Sequence, residues 1–198
     1  MNETLIDLMR HGEPLGGSKY RGQLDDPLSE KGWAQMREKL GGHAPWQQVI
    51  SSPLSRCREF AEELAVDHGL PLHVDERLKE VCFGVWEGKT AAQLNEENPQ
   101  QLPRFRADPV NARPAGAEPL EQFYRRVVAA LDEIVARHRH EHLLIICHAG
   151  VMRMALTHVL DVPLNRAYRI EVGHAALSRL AFDADASPRL VFHDGRLK

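Results

Sequence analysis

The chain has 198 residues, 43% hydrophobic and 27% charged, which suits a single domain with a full core and no need of disulfide or metal staples. Net charge −3 (25 basic, 28 acidic) and a pI near 6.4 argue against a nucleic-acid or anionic-membrane binder. Mean hydropathy of −0.39 excludes a disordered chain, and no run approaches the roughly 18 apolar residues of a membrane span.

Leu5 to Met9 is a short apolar run ended by Arg10-His11-Gly12, which reads as a buried strand and a loop. After an irregular stretch over 12–28, Ser29 is placed to cap a helix with Trp33, Met36 and Leu40 on one face. Gln48 to Ser51 reads as a second strand. Ser52-Pro53 then predicts a helix start, with Ser as N-cap and Pro at N1; Leu54, Cys57, Phe60, Ala61 and Leu64 form its apolar stripe and Gly69 stops it. Residues 72–83 read as extended. The stretch 87–116, broken by Pro and Gly among short helical pieces, reads as an insertion lying over the sheet within one domain spanning 1–198. Leu120, Phe123, Val127, Leu131 and Ile134 mark the longest helix, about 119–138. Leu143 to Cys147 is a strand ended by His148-Ala149-Gly150, then come a helix of about ten residues and strands near 170–172, 175–182 and 189–193. Strands alternating with helices predict a three-layer α/β/α domain with a mostly parallel central sheet.

Two strand ends are alike. Arg10-His11-Gly12 and Cys147-His148-Ala149-Gly150 each set a histidine just past an apolar strand, where open α/β sheets bind ligands. One such histidine would be unremarkable; two in matching contexts point to one pocket. Ser51 to Arg56 also follows a strand and puts Arg56 in the first turn of a helix, near N–H groups that favour an anion. Arg10 and Arg56 then offer two planar forks suited to phosphate oxygens. Arginine is abundant here (19 Arg, 6 Lys), so only the position of these two is informative.

With Arg10-His11-Gly12-Glu13, Ser52-Pro53 and Arg56, Leu78-x-Glu80-x-x-Phe83-Gly84-x-Trp86-Glu87-Gly88, and His148-Ala149-Gly150 in this order, the chain resembles the histidine phosphatase superfamily, the phosphoglycerate-mutase-like proteins, from about residue 4 to 182. That resemblance implies a phosphoglycerate-mutase-like fold and a small phosphate ester as substrate. It makes His11 the phosphorylated nucleophile. Arg10, Arg56 and a protonated His148 would hold the phosphate, and Glu80 would be the general acid where burial and the phosphate favour its neutral form. Gln23, Gly12 and Ala149 follow as further substrate contacts, and Glu87 as a structural residue. No metal or other cofactor is implied, since the arginines supply the charge.

The mutases of this family are longer than this chain, which favours a phosphatase. Gly22 to Trp33, the Glu80 segment and Gly116 to Phe123 are similar to the α-ribazole phosphatase group, implying α-ribazole 5′-phosphate as substrate in cobalamin biosynthesis. Broad-specificity and sugar-(bis)phosphate phosphatases are the alternatives, ahead of a mutase or a non-catalytic phosphate binder. Two departures, Pro14 for the usual Thr and Gly116-Ala117-Glu118-Pro119 for G-G-E-S, fall where substrate choice would be set.

Three cysteines, an odd count without C-x-x-C, predict a reducing, cytoplasmic setting, and the N-terminus has no basic region of a secretory signal. His138 to His142 reads as a cationic helix end and not as a metal tract. His158 and His174 read as surface or loop residues, and Trp33, Trp46 and Trp86 as packing. The oligomeric state stays open between monomer and homodimer.

Overall fold

A computed structural model describes residues 3–183 and 185–197. Its strands are β1 (Glu3–Arg10), β2 (Gln48–Ser51), β3 (Leu72–Val74), β4 (His142–Cys147), β5 (Leu177–Asp183) and β6 (Ala186–Phe192). They form one sheet in the order β3-β2-β4-β1-β5-β6. The first four are parallel, and β5 and β6 are antiparallel. The expected mostly parallel sheet is therefore present. Every residue of β4 is buried, as a central parallel strand covered on both faces requires.

Helices α1 (Glu30–Leu40), α2 (Ser55–His68), α5 (Leu120–Arg137) and α6 (Ala149–Val159) supply the outer layers, with α3 (Ala91–Glu97) and α4 (Gln101–Ala107) between. On one face Ile6, Leu8, Leu143 and Ile145 pack with Phe123, Val127 and Leu131 of α5 and Met152 of α6. On the other, Met9, Val49, Leu144 and Ile146 pack with Met36 of α1 and Phe60 and Leu64 of α2. Alternate residues of one strand thus serve opposite cores, the period-2 geometry of a strand.

Local chemistry sets the helix ends. The Ser29 side chain accepts from the Gly32 N–H to open α1, and Gly69 closes α2 with φ 63°. The start of α2 differs from the sequence expectation. Leu54 is its N-cap, and Asp25 from the preceding loop accepts from the Ser55 N–H at 2.7 Å, so Ser52 is free for another partner. Residues 72–83 are extended only to Val74; a 3-10 turn follows at Glu76–Leu78. No strand forms at 170–172, because those carbonyls are spent on side chains: Ile170 accepts from Arg153, Glu171 from His193 and Val172 from Arg10. Helices α3 and α4 do not lie on a sheet face either. Leu94, Leu102, Phe105 and Trp86 form a small separate cluster packed on Tyr20, Phe83 and Tyr168.

Midway along β1, fully buried Asp7 accepts from Trp46 Nε1 (2.8 Å), His142 Nε2 (2.9 Å) and Arg179 Nε (2.7 Å). Burial alone would raise its pKa, but the hydrogen bonds from His142, Arg179 and Trp46 hold the carboxyl below its usual range. We expect Asp7→Ala to lose about 3–5 kcal/mol in urea unfolding at neutral pH, since three donors lose their acceptor. Because the folded-state pKa is lowered, Asp7's ionisation adds stability above the ordinary carboxylate pKa of about 4, which is lost as pH falls through the lower folded value. A wild-type and variant that differ equally at neutral and strongly acidic pH would contradict this.

Candidate active site

Strand pairing brings the two histidines together. Arg10 is in register with Cys147, so His11 and His148 leave neighbouring parallel strands side by side. The His11 N–H donates to the Cys147 carbonyl at 3.0 Å, and the two ring centroids lie 5.2 Å apart. On the other side of β4, Ser51 pairs with Ile146, which sets Ser52 and the first turn of α2 beside His148. The site therefore stands at the carboxyl ends of β1, β4 and β2, where the chain's order across the sheet reverses.

His11 is 5% exposed, and its Nδ1 lies 2.7 Å from the Gly12 carbonyl. A carbonyl only accepts, so Nδ1 carries the proton and the lone pair is left on Nε2. Burial, then the charges of Arg56 and Arg10, push this imidazole well below its usual pKa. Burial and the charges of Arg56, His11 and Arg10 do the same to the fully buried His148. Two arginines within Coulombic reach disfavour a further cation on this ring. His148 Nε2 sits 2.7 Å from Ser52 Oγ.

The arginines are fixed by main-chain carbonyls. Arg56, 1% exposed, donates to Leu24 O at 2.9 Å and Gly22 O at 2.8 Å. Arg10 donates to Val172 O at 2.7 Å. Burial, partly offset by the charge of Glu80, lowers the Arg10 pKa to about 10, so it stays cationic at neutral pH. The Nε atoms of both arginines are buried without a protein partner. Unmet donors on desolvated cations are the property of an anion site.

Glu80 faces the same cavity. Its Oε1 accepts from the Val81 N–H (2.9 Å) and its Oε2 from the Gly150 N–H (3.1 Å). Gly150 has a steric reason: a Cβ there would come within 2.1 Å of Glu80 Oε1. Arg126 holds the supporting backbone, donating to the carbonyls of Arg77 (2.6 Å), Lys79 (2.8 Å) and Glu80 (3.2 Å) while paired with Glu118 at 2.7 Å. Ala149 lines the cavity. Gly12, Gln23 and the fully buried His148 are not among its lining residues. A Cβ on Gly12 would meet Gly32 O at 2.1 Å, so this glycine serves close packing of the loop on α1. Gln23 Nε2 donates to the Glu80 carbonyl at 3.3 Å, and Glu87 accepts from the Gln23 and Phe83 N–H groups, both at 3.0 Å.

The cavity holds about 430 Å³. Its outer wall was not read from the sequence: Tyr20, Phe105 and Tyr168 are aromatic, and Lys19, Arg21, Arg106 and Arg153 are basic. Asp26 pairs with Lys19 (2.7 Å) and Arg21 (3.0 Å), whereas Arg106 and Arg153 have no carboxylate partner among the described residues. His174 is a loop residue as expected, yet it lines the pocket 6.0 Å from His11. Burial and the charge of Arg10 push its pKa down to about 4. Trp86 is packing: 3% exposed, its Nε1 donates to Gln101 Oε1 at 2.9 Å. One signal was available for Arg153, the single charge before His158 in the otherwise uncharged α6. Among the described residues, no three His, Cys, Asp or Glu side chains gather as a metal site, and no helix is long and apolar enough to cross a membrane.

One cavity thus gathers the buried His11 imidazole and the carbonyl-anchored Arg10 and Arg56, with the His148 ring buried beside that of His11. The chain belongs to the histidine phosphatase superfamily, whose branch 1 model matches residues 6–194. It is 33% identical over 204 residues to a bifunctional protein of Mycobacterium tuberculosis, covering 98% of this chain but only 55% of that protein. The chain thus spans about half the length of that relative. It is 31% identical over 172 residues to the adenosylcobalamin/alpha-ribazole phosphatase of Salmonella typhimurium, covering 84% of this chain and 85% of the other. A solved mycobacterial glucosyl-3-phosphoglycerate phosphatase superposes with TM-score 0.84 at 26% identity, over 98% of this chain and 99% of that one.

The electrostatics give a direct test. In NMR titration of the ligand-free protein, the His11 and His148 ring signals should stay those of neutral imidazole down through the ordinary value of about 6.5. Protonation of either ring at or above that value would contradict the desolvation argument.

Proposed function

We propose that this chain is a phosphomonoester hydrolase that works through a phosphohistidine at His11. The observation that carries this reading is the His11 ring itself. Its Nδ1–H is tied to the Gly12 carbonyl, leaving an unprotonated Nε2 on a ring that lines one cavity together with Arg10 and Arg56. In the first step Nε2 attacks phosphorus, the N–P bond forms and the ester P–O bond breaks. Arg10 and Arg56 neutralise the equatorial oxygens. Glu80 delivers a proton to the leaving oxygen, and as a carboxylate it takes one from the water that next attacks phosphorus. The N–P bond then breaks, releasing inorganic phosphate and restoring His11. Both Glu80 oxygens accept a backbone N–H, so the proton it delivers occupies a remaining lone pair.

For the substrate we propose α-ribazole 5′-phosphate, in cobalamin biosynthesis. The Salmonella relative supports this, as do the aromatic side chains of Tyr20, Phe105 and Tyr168, which offer flat faces to a base. Arg106 and Arg153 favour a second reading, a sugar bisphosphate, because they add positive charge beyond what one phosphoryl group needs. We take the chain as one domain in which the stretch 87–116 contributes Phe105 and Arg106 to the pocket's outer wall. Its three free thiols support a cytoplasmic location.

Labelled substrate quenched under alkaline conditions should leave label on His11, stable to base and labile to acid. Label elsewhere, or full activity in His11→Ala, would overturn the mechanism. On a panel of esters, kcat/KM should be highest for α-ribazole 5′-phosphate; a sugar bisphosphate in first place would favour the second reading.

Leaving-group dependence tests Glu80. An alkyl phosphate expels a strongly basic alkoxide, whereas p-nitrophenyl phosphate expels a phenolate that departs unaided. Phosphoenzyme formation in Glu80→Gln should fall by about 10²–10⁴-fold on the alkyl ester and far less on the nitrophenyl ester. Gly150→Ala, whose Cβ would displace the Glu80 carboxylate and press on Phe123 Cε1 at 3.1 Å, should show the same asymmetry where its melting temperature matches the wild type. Equal losses on both esters would make Glu80 a structural residue.

A further inference from the structure

We propose that Ser52 is the positioning residue that sets the tautomer of His148, donating its hydroxyl proton to Nε2 so that Nδ1 presents an N–H to the transferring phosphoryl group. This rests on the phosphohistidine reading and adds to it a residue that never touches substrate.

The argument is a count of donors and acceptors in a space without water. Ser52 and His148 are both fully buried, with Oγ and Nε2 2.7 Å apart. A hydroxyl has one proton and two lone pairs. One lone pair accepts the Leu54 N–H at 3.3 Å. If Nε2 also donated to Ser52, the hydroxyl proton would face only the Cys57 sulfur, a weak acceptor, and a buried donor without a proper partner costs about 1–3 kcal/mol. If Ser52 donates instead, both groups are satisfied at a short distance. Desolvation and the two arginines keep His148 neutral, so one ring nitrogen alone bears hydrogen, and that nitrogen is Nδ1.

Nδ1 has no good acceptor in the protein. Its contact is Cys57 Sγ at 3.8 Å, and that thiol spends its own proton on the Cys147 carbonyl at 3.4 Å. Burial raises the Cys57 pKa, so the sulfur stays a thiol and gains no acceptor strength as a thiolate. The His148 ring lies beside that of His11, with centroids 5.2 Å apart, and its Nδ1–H is left for a phosphoryl oxygen to accept. The displaced start of α2 acquires a reason: with Asp25 capping the helix, the Ser52 hydroxyl is released for the imidazole.

The first test needs no variant. Long-range ¹⁵N–¹H spectra of the wild-type protein, labelled in histidine, should show His148 neutral with hydrogen on Nδ1; hydrogen on Nε2 would overturn the proposal. Ser52→Ala should shift His148 toward the Nε2–H form. It should slow single-turnover phosphorylation of His11 by about 10- to 100-fold, the range for losing a group that orients a functional imidazole. The melting temperature and the His11 resonances report whether the fold and nucleophile remain intact. A wild-type phosphorylation rate in folded Ser52→Ala would sink the role of Ser52 and leave the phosphohistidine reading standing. Activity retained in His11→Ala would instead sink the parent reading.

Discussion

The pairing of β1 with β4 is the constraint on which the site depends. It is a pairing between segments some 140 residues apart, fixed along six consecutive positions from Leu5–His142 to Arg10–Cys147. Each strand offers alternate side chains to two different cores, so a one-residue slip would turn Ile6 and Leu8 onto the wrong face. Register is therefore set by the cores and not by the site. The histidines that follow the last paired residues inherit it, and their separation needs no loop to hold it.

What the sheet places, the carbonyls charge. Two arginines stand at the strand ends with much of their hydration removed, anchored by Leu24, Gly22 and Val172 rather than by carboxylates. A carboxylate partner would have neutralised them; a carbonyl orients the fork and leaves the charge uncompensated. The same field keeps His11 unprotonated, which is the form a nucleophile needs. One arrangement thus attracts the anion and maintains the attacking lone pair. Asp7, midway along β1, shows the opposite treatment of a buried charge, with every donor matched.

The inner site was legible because it is local in sequence. Arg10-His11-Gly12, Ser52 to Arg56 and His148-Ala149-Gly150 each sit at the end of an apolar strand, and strand ends in such a sheet converge. The glycines were legible as glycines but not as to purpose: Gly12 makes room for α1 and Gly150 for Glu80. The supposed strand at 170–172 failed because its carbonyls answer to Arg153, His193 and Arg10, partners far along the chain. Phe105, Arg106, Tyr168 and His174 could not be seen at all, since loops and short helices carry no period from which a direction can be read.

That division has a physical origin and a consequence for substrate choice. Arg10, His11, Arg56 and His148 stand on or just past β1, β4 and the start of α2, elements whose apolar residues fill the two large cores. Phe105 and Arg106 stand on α4, whose apolar residues belong to the separate cluster of Trp86, Leu94 and Leu102. Substitution in α4 therefore changes the cavity's outer wall while leaving the register of β1 and β4 as it was. Arg153 is the exception, being rooted in buried α6 and held by the Ile170 carbonyl with its guanidinium over the Tyr168 ring. A charge fixed that firmly reaches into the outer pocket from the chemical core. Of the two unpaired cations there, Arg153 is therefore the one whose position a substrate must accommodate, and Arg106 the one that can be altered to suit it.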